Sequence, residues 1–158
     1  MSVQEVLQFL KRKSKPIEDV GYGMVTKSTQ PDKQYTFGLL YKATNEPESP
    51  VLDAHNEWVT GDVLQDSQWS YVKSGDRRIW LQHKLQGAVV LGEWVDIVTW
   101  PFEVKMALTT PGGGTHKASI PPNSVFMGVL WNSVGWDLVK RGLIRGFSLG
   151  GMARRKRN

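Results

Sequence analysis

The sequence predicts a mainly β domain of the α+β class, with two or three short helices. Segments rich in β-branched and aromatic residues recur along the chain, and stretches rich in glycine, proline and other turn residues separate them. Helical periodicity is confined to short segments. The chain has 158 residues, 40% of them apolar, which suits one domain with one hydrophobic core.

Residues 1–15 are predicted to form an amphipathic helix. Ser2 and Glu5 have the spacing of a capping box. Apolar residues then follow at helical intervals: Val3, Val6, Leu7 and Leu10. A basic cluster falls in the last turn, where cations interact favourably with the helix dipole, and Pro16 ends the helix.

The first half of the domain is predicted to contain strands within residues 21–44, around a polar turn at residues 28–33. Residues 45–50 carry two prolines and are a predicted loop.

Thr60 is the predicted N-cap of a helix over residues 61–73, which ends at a Ser-Gly-Asp segment. The candidate buried positions of this helix are Leu64, Trp69 and Val72.

The second half of the domain is predicted to form strands within residues 78–84, 88–104 and 124–131, because these segments are rich in β-branched and aromatic residues. Between them, residues 108–122 carry three consecutive glycines and are a predicted long loop.

Asn132 or Ser133 is the predicted cap of a short helix over residues 133–141, which Gly142 ends. Residues 143–151 form the last predicted strand. We therefore divide the chain into the N-terminal helix (1–15), a domain (16–151) and a basic C-terminal tail (152–158).

The net charge of +5 lies at the two ends of the chain. The first fifteen residues carry +3 and the tail carries +4, and subtracting both from +5 leaves −2 for the residues between them. An acidic body with basic ends does not favour binding of nucleic acid along a basic groove. The ends are interpreted as solvated segments or as contacts to an acidic partner.

The composition excludes several classes of site. The chain has no cysteine, which excludes disulfides and thiolate catalysis. No apolar run reaches the length of a membrane span, and the N-terminus lacks the order of a signal peptide, so we expect a soluble, non-secreted protein. No His and acid residues have metal-ligand spacing, and the glycine-rich segment 111–117 lacks the Gly-Lys-Ser/Thr ending of a phosphate loop. We expect no metal and no cofactor.

Ser148 lies in a Gly-x-Ser-x-Gly segment, which is a pattern of serine nucleophiles. In the nucleophile elbow of α/β-hydrolases, the acid and the histidine follow the serine along the chain. Only ten residues follow Ser148, and none is Asp or His, so chain order excludes that fold. Ser148 therefore needs a base and an acid from upstream.

His83 is the candidate base. Strand alternation places it on one face with Ile79 and Leu81, so it is either a catalytic base or a satisfied histidine at the end of an apolar strand face. Asp96 lies mid-strand and is either an exposed edge residue or the acid that orients His83. Glu93, three residues earlier, is assigned to the opposite strand face and is the weaker candidate.

His55 and His116 lie in predicted loops and are interpreted as solvated residues rather than as members of a catalytic group.

Three motifs near the end of the domain follow one another in a distinctive order. A Met-Gly-Val strand segment (127–129) precedes a short helix that carries Trp136 and ends in Val-Lys-x-Gly (139–142). A Gly-Phe-Ser-x-Gly-Gly strand (146–151) then follows. In this order they resemble the end of the protease domain of XkdF-type phage serine proteases, which belong with the prohead (capsid maturation) proteases.

Upstream motifs agree with this resemblance in order and spacing. They are Phe37-Gly38, Val51-Leu52-Asp53, Leu81-Gln82-His83 and the Gly-x-x-Val-acid segment from Gly92 to Asp96, which runs on to Pro101. The resemblance covers about residues 35–151. It implies a barrel-like, mainly β fold related to herpesvirus assemblin, with residues 16–151 as the protease domain.

The resemblance also implies the site and the biological role. Ser148 corresponds to the nucleophile and His83 to the base, and Asp96 matches a position where relatives carry a carboxylate. The backbone N–H groups near Leu149 and Gly150 are candidate oxyanion donors. The implied partners are phage capsid and scaffold proteins, cleaved inside the assembling procapsid in the host cytoplasm. The alternative is a non-catalytic virion or scaffold-binding protein built on the same domain.

Overall fold

The computed structural model describes six stretches of the chain together with two isolated residues. They are residues 23–27, 33–53, 56–81, 89–109, 115–144 and 146–147, with Gln4 and Gln8. Both of these glutamines are helical and exposed. The rest of the predicted N-terminal helix, and the whole basic tail, lie outside the described residues.

Eight strands and two helices are present in this part of the chain. In chain order they are β1 (Gly23–Lys27), β2 (Tyr35–Tyr41), α1 (Gly61–Ser74), β3 (Arg78–Trp80), β4 (Val90–Thr99), β5 (Val104–Thr109), β6 (Thr115–Ile120), β7 (Val125–Trp131), α2 (Ser133–Lys140) and β8 (Gly146–Phe147).

Six strands form one sheet in the order β3-β4-β7-β2-β1-β8, and every pairing is antiparallel. The strands β5 and β6 pair with each other in a separate hairpin. The mainly β prediction is therefore confirmed. The described sheet is open, with β3 and β8 at its edges, and is not a closed barrel. The barrel-like, assemblin-like fold that the resemblance implies stays a prediction.

The two faces of the sheet bury different clusters. Alternate residues of the central strand β7 define them: Met127, Val129 and Trp131 lie on the inner face, and Phe126, Gly128 and Leu130 lie on the outer face. The inner face packs against both helices, through Leu64 of α1 and Leu138 of α2.

The β5–β6 hairpin covers one end of the outer face. There Ile120 packs against Phe126 and Leu39, and Phe37 stacks on the Phe126 ring with a centroid separation of 5.9 Å. The predicted loop over residues 108–122 is thus wrong for residues 108–109, which end β5, and for residues 115–120, which form β6. Pairing with β5 orders this segment, whose own residues, Thr-His-Lys-Ala-Ser-Ile, include few of the β-branched and aromatic types by which the other strands were predicted.

Helix α1 confirms the predicted helix over residues 61–73. It ends at Gly75, whose φ of 71° lies in the left-handed region that glycine adopts without strain. Leu64 is buried as predicted, but Trp69 and Val72 are exposed. The helix contacts the sheet through Leu64 and Tyr71, and this narrow contact leaves its Trp69 side in solvent.

Helix α2 begins where the sequence predicts, because the Asn132 side chain accepts a hydrogen bond of 2.8 Å from the Gly135 backbone N–H. The same side chain donates to the Val90 carbonyl oxygen at 2.9 Å, which fixes the start of α2 against β4. Neither described helix is long and apolar enough to cross a membrane.

Candidate functional site

The predicted nucleophile and base both lie outside the described residues. Ser148, with the oxyanion candidates Leu149 and Gly150, follows directly after β8, and His83 follows β3. The structure does describe the residues that lead into each of them, and it describes both candidate acids.

The residues that precede the serine and the histidine pack on the same hydrophobic cluster. Phe147, immediately before Ser148, is buried in the inner cluster, and Leu81, two residues before His83, packs against that cluster. Ile79 contacts it as well, which confirms that Ile79 and Leu81 share the inner face. Phe147 and Leu81 therefore lie on the same side of the sheet.

Trp131 is the central residue of this arrangement. Its ring stacks on Phe147 with a centroid separation of 6.2 Å and an interplanar angle of 8°. Since β2 and β1 lie between β7 and β8 in the sheet, this stack shows that the sheet curls toward its inner face. Trp131 Nε1 donates a 2.8 Å hydrogen bond to Oγ1 of the fully buried Thr36, which holds the indole in place.

Strand β3 is joined to Trp131 through β4. Trp131 lies opposite Gly92, and Gly92 lies opposite Ile79 in the next strand. The Leu81 N–H donates to the Val89 carbonyl oxygen at 2.9 Å, so the segment 82–88 that contains His83 connects two hydrogen-bonded neighbours. A short chain of paired residues thus links the approach to Ser148 with the approach to His83.

The two candidate acids lie on the outer face of the sheet. Between Trp94 and Asp96 the register of β4 shifts by one residue, a β-bulge at Val95. Glu93 pairs with Leu130 and Asp96 with Gly128, and both of these β7 residues face outward. The assignment of Glu93 to the face opposite Asp96 is therefore wrong, because the bulge reverses the alternation that the sequence implied.

Asp96 forms a hydrogen bond across the central strand. The Tyr35 phenol donates to Asp96 Oδ2 at 2.8 Å, and the two side chains meet above Gly128. A Cβ atom at Gly128 would overlap both the Tyr35 oxygen and the Asp96 carboxylate, so this pair requires glycine there. Partial burial and the Asp96 carboxylate, as bond acceptor and as charge, raise the pKa of Tyr35.

A second carboxylate, which has no predicted site role, lies on the inner side. Asp53 accepts hydrogen bonds from the Tyr41 phenol to Oδ2 and from the Glu57 backbone N–H to Oδ1, each 3.0 Å long. Tyr41 itself packs against the inner cluster. Partial burial and the same carboxylate raise the pKa of Tyr41. The sequence places Asp53 before α1, but nothing local indicates that Tyr41 holds it.

Both tyrosines give the stability of the protein a pH dependence at alkaline pH. In the unfolded chain their phenols ionise near the ordinary pKa of 10.0, whereas in the folded chain they keep their protons to higher pH. Above pH ~10 the unfolded state therefore binds fewer protons, and we expect the free energy of unfolding to fall as the pH rises further. Urea unfolding between pH 8 and 11 measures this, and Tyr35→Phe and Tyr41→Phe are each expected to make the fall shallower. Equal slopes in wild type and both variants would contradict the assignment.

Comparison with protein-family models, with curated proteins and with solved structures found no match to this chain. Within the described ranges, no three His, Asp or Glu side chains gather as a metal site would require. The XkdF-type protease therefore stays a prediction that rests on the order of the sequence motifs.

Proposed function

We propose that this chain is a serine endopeptidase that processes scaffold and capsid proteins, and itself, during maturation of a phage procapsid. In this proposal it acts in the host cytoplasm, inside the assembling particle, and residues 16–151 form an assemblin-like protease domain. The order of motifs from Phe37-Gly38 to Gly146–Gly151 is the sequence basis. The mainly β architecture is compatible with it.

The observation that carries the proposal is the shared packing of the two approaches to the site. Phe147 and Leu81 contact one hydrophobic cluster on one face, although 66 positions separate them in sequence. Two residues of extended chain span at most about 7 Å, so Leu81 limits the distance of His83 from this cluster. Phe147, which directly precedes Ser148, limits the distance of Ser148 from the same cluster. A nucleophile and its base need this convergence from distant parts of the chain.

The proposed mechanism is acyl transfer. His83 takes the proton of Ser148 as Oγ attacks the peptide carbonyl, and later gives it to the leaving amine. The backbone N–H groups at Leu149 and Gly150 stabilise the oxyanion of the tetrahedral intermediate. Hydrolysis of the acyl-enzyme by water, with His83 again as base, restores Ser148 and releases the second product.

Two carboxylates compete for the role of the orienting acid. Motif order supports Asp96. Because Asp96 lies on the outer face, this assignment requires that the segment after the edge strand β3 carries His83 to that face. Position supports Asp53, which is held by two hydrogen bonds beside the inner cluster. Processing by Asp96→Asn and Asp53→Asn variants separates them, because removal of the acid leaves His83 in the wrong tautomer.

A non-catalytic role in the virion is the second candidate. Its support is the exposed apolar side of α1, where Trp69 and Val72 lie one helical turn apart in solvent. A protein that only binds a scaffold would use such a surface and leave its partner intact.

Co-expression with the phage capsid and scaffold proteins distinguishes the two candidates. The protease is expected to produce shortened capsid or scaffold chains, with new termini that mass spectrometry identifies. A stable complex of full-length partners, with no new termini, would contradict the protease and support the binding protein.

A further inference from the structure

The described residues leave part of the outer sheet face uncovered. The β5–β6 hairpin packs over Phe37, Leu39 and Phe126 at one end of this face. The other end carries four side chains, which we call the outer patch: Tyr35, Glu93, Asp96 and Leu130.

The outer patch combines an exposed apolar surface with negative charge. Leu130 is 41% exposed, although it belongs to the central strand of the sheet. Glu93 lies directly across from it and is exposed, and Asp96 follows on the same strand. An amphipathic element with a basic end matches such a surface in both respects.

The described cation on the neighbouring strand forms an ion pair outside the patch. Arg78 lies opposite Glu93 in the pairing of β3 with β4, but its guanidinium forms two hydrogen bonds with Asp76, of 2.8 and 2.9 Å. It also stacks over the Trp80 ring at 4.8 Å. Among the described ion pairs, none includes Glu93 or Asp96.

We propose that the outer patch is the docking surface for the N-terminal segment of the same chain, residues 1–15. This segment has the matching composition: an apolar stripe that includes Leu7 and Leu10, followed by four cations at positions 11, 12, 13 and 15. The apolar stripe covers Leu130 and the ring of Tyr35, and the cations face Glu93 and Asp96. This docking is compatible with Asp53, and not with Asp96, as the acid that orients His83. The exposed, helical Gln4 and Gln8 then form the solvent side of the docked helix.

The covalent connection is long enough for this docking. Seven residues, 16–22, join the segment to β1, and seven extended residues span at most about 25 Å. In the sheet order, β1 is two strands from β7, about 10 Å across the sheet. Val25 lies opposite Gly38, which lies opposite Met127, so the start of β1 is also about 17 Å from Leu130 along the strands. The linker must therefore span roughly 20 Å, which is within its reach. The basic tail is the poorer occupant, because residues 152–158 carry charge without an apolar stripe.

Cross-linking tests this docking in the full chain, which has no native cysteine. The double variant Leu7→Cys with Leu130→Cys is treated with a short bis-maleimide and followed by gel electrophoresis and peptide mass spectrometry. The matched control is Leu7→Cys with Leu143→Cys, because Leu143 is an exposed leucine outside the patch, at 45% against 41% for Leu130. Docking predicts an intramolecular link that forms at least about tenfold faster than in the control.

Two further conditions test whether charge attraction causes the fast cross-linking. Glu93→Lys in the test pair, or high salt, is expected to slow the link severalfold, since both weaken the charge attraction. Equal rates in the test and control pairs would overturn the proposal, and so would a link formed only between two chains, which would show a second copy on the patch. The readout does not depend on protease activity, so its result is separate from that of the proposed function.

Discussion

Replacement of Ser148 by alanine is expected to abolish processing of co-expressed scaffold and capsid proteins, a loss of at least about a thousandfold. The reason is chemical: alanine has no Oγ to attack the carbonyl, so only the weak residual catalysis by the oxyanion donors and by substrate binding remains. The fold is expected to be unchanged, because the substitution removes a single oxygen atom. Rates of appearance of the new termini, measured by mass spectrometry, check the result.

Two comparisons make this prediction specific. Ser119→Ala removes an exposed hydroxyl from β6 and is expected to process normally. His83→Ala is expected to lose as much activity as Ser148→Ala, and the double variant no more than either, because the two residues act as a unit. Normal processing by Ser148→Ala would remove Ser148 from the mechanism.

Replacement of Leu138 by alanine is expected to lower the free energy of unfolding by about 3 kcal/mol. Leu138 is 0% exposed and joins α2 to the inner cluster, so its truncation leaves a cavity between the helix and the sheet. Alanine keeps the helical propensity of the position high, so the loss reports packing. Urea unfolding followed by tryptophan fluorescence measures it.

Leu143→Ala is the matched control for this prediction. Leu143 follows α2 but is largely exposed, so its truncation is expected to cost less than about 1 kcal/mol. Equal destabilisation by the two variants would show that α2 does not bury Leu138 against the sheet.

The fold class was predictable because its signals are local. The β-branched and aromatic runs gave the strands β2, β3, β4 and β7, and the capping residues gave α1 and α2. The β6 strand was missed because its residues become a strand only by pairing with β5 across a glycine-rich segment. The burial of Trp69 was wrong because helical spacing does not indicate how wide the contact with the sheet is.

The sequence indicates which residues are candidates for the site, but it does not indicate on which face of the sheet each of them lies. Alternation placed Ile79 and Leu81 correctly, but one extra residue at the Val95 bulge reversed the face assigned to Glu93. The Tyr35–Asp96 bond joins residues 61 positions apart over a glycine that leaves room for it. Such a contact depends on the register of three strands, and no short segment of sequence specifies that register.

The most direct test of the proposed function is the reaction of the intact protein with a fluorophosphonate, a reagent that modifies activated serine hydroxyls. The proposal predicts one covalent adduct per chain, located by peptide mass spectrometry on Ser148 and absent from the His83→Ala variant, which lacks the base that activates Oγ. No adduct on Ser148, or an adduct that forms equally fast without His83, would contradict the serine protease.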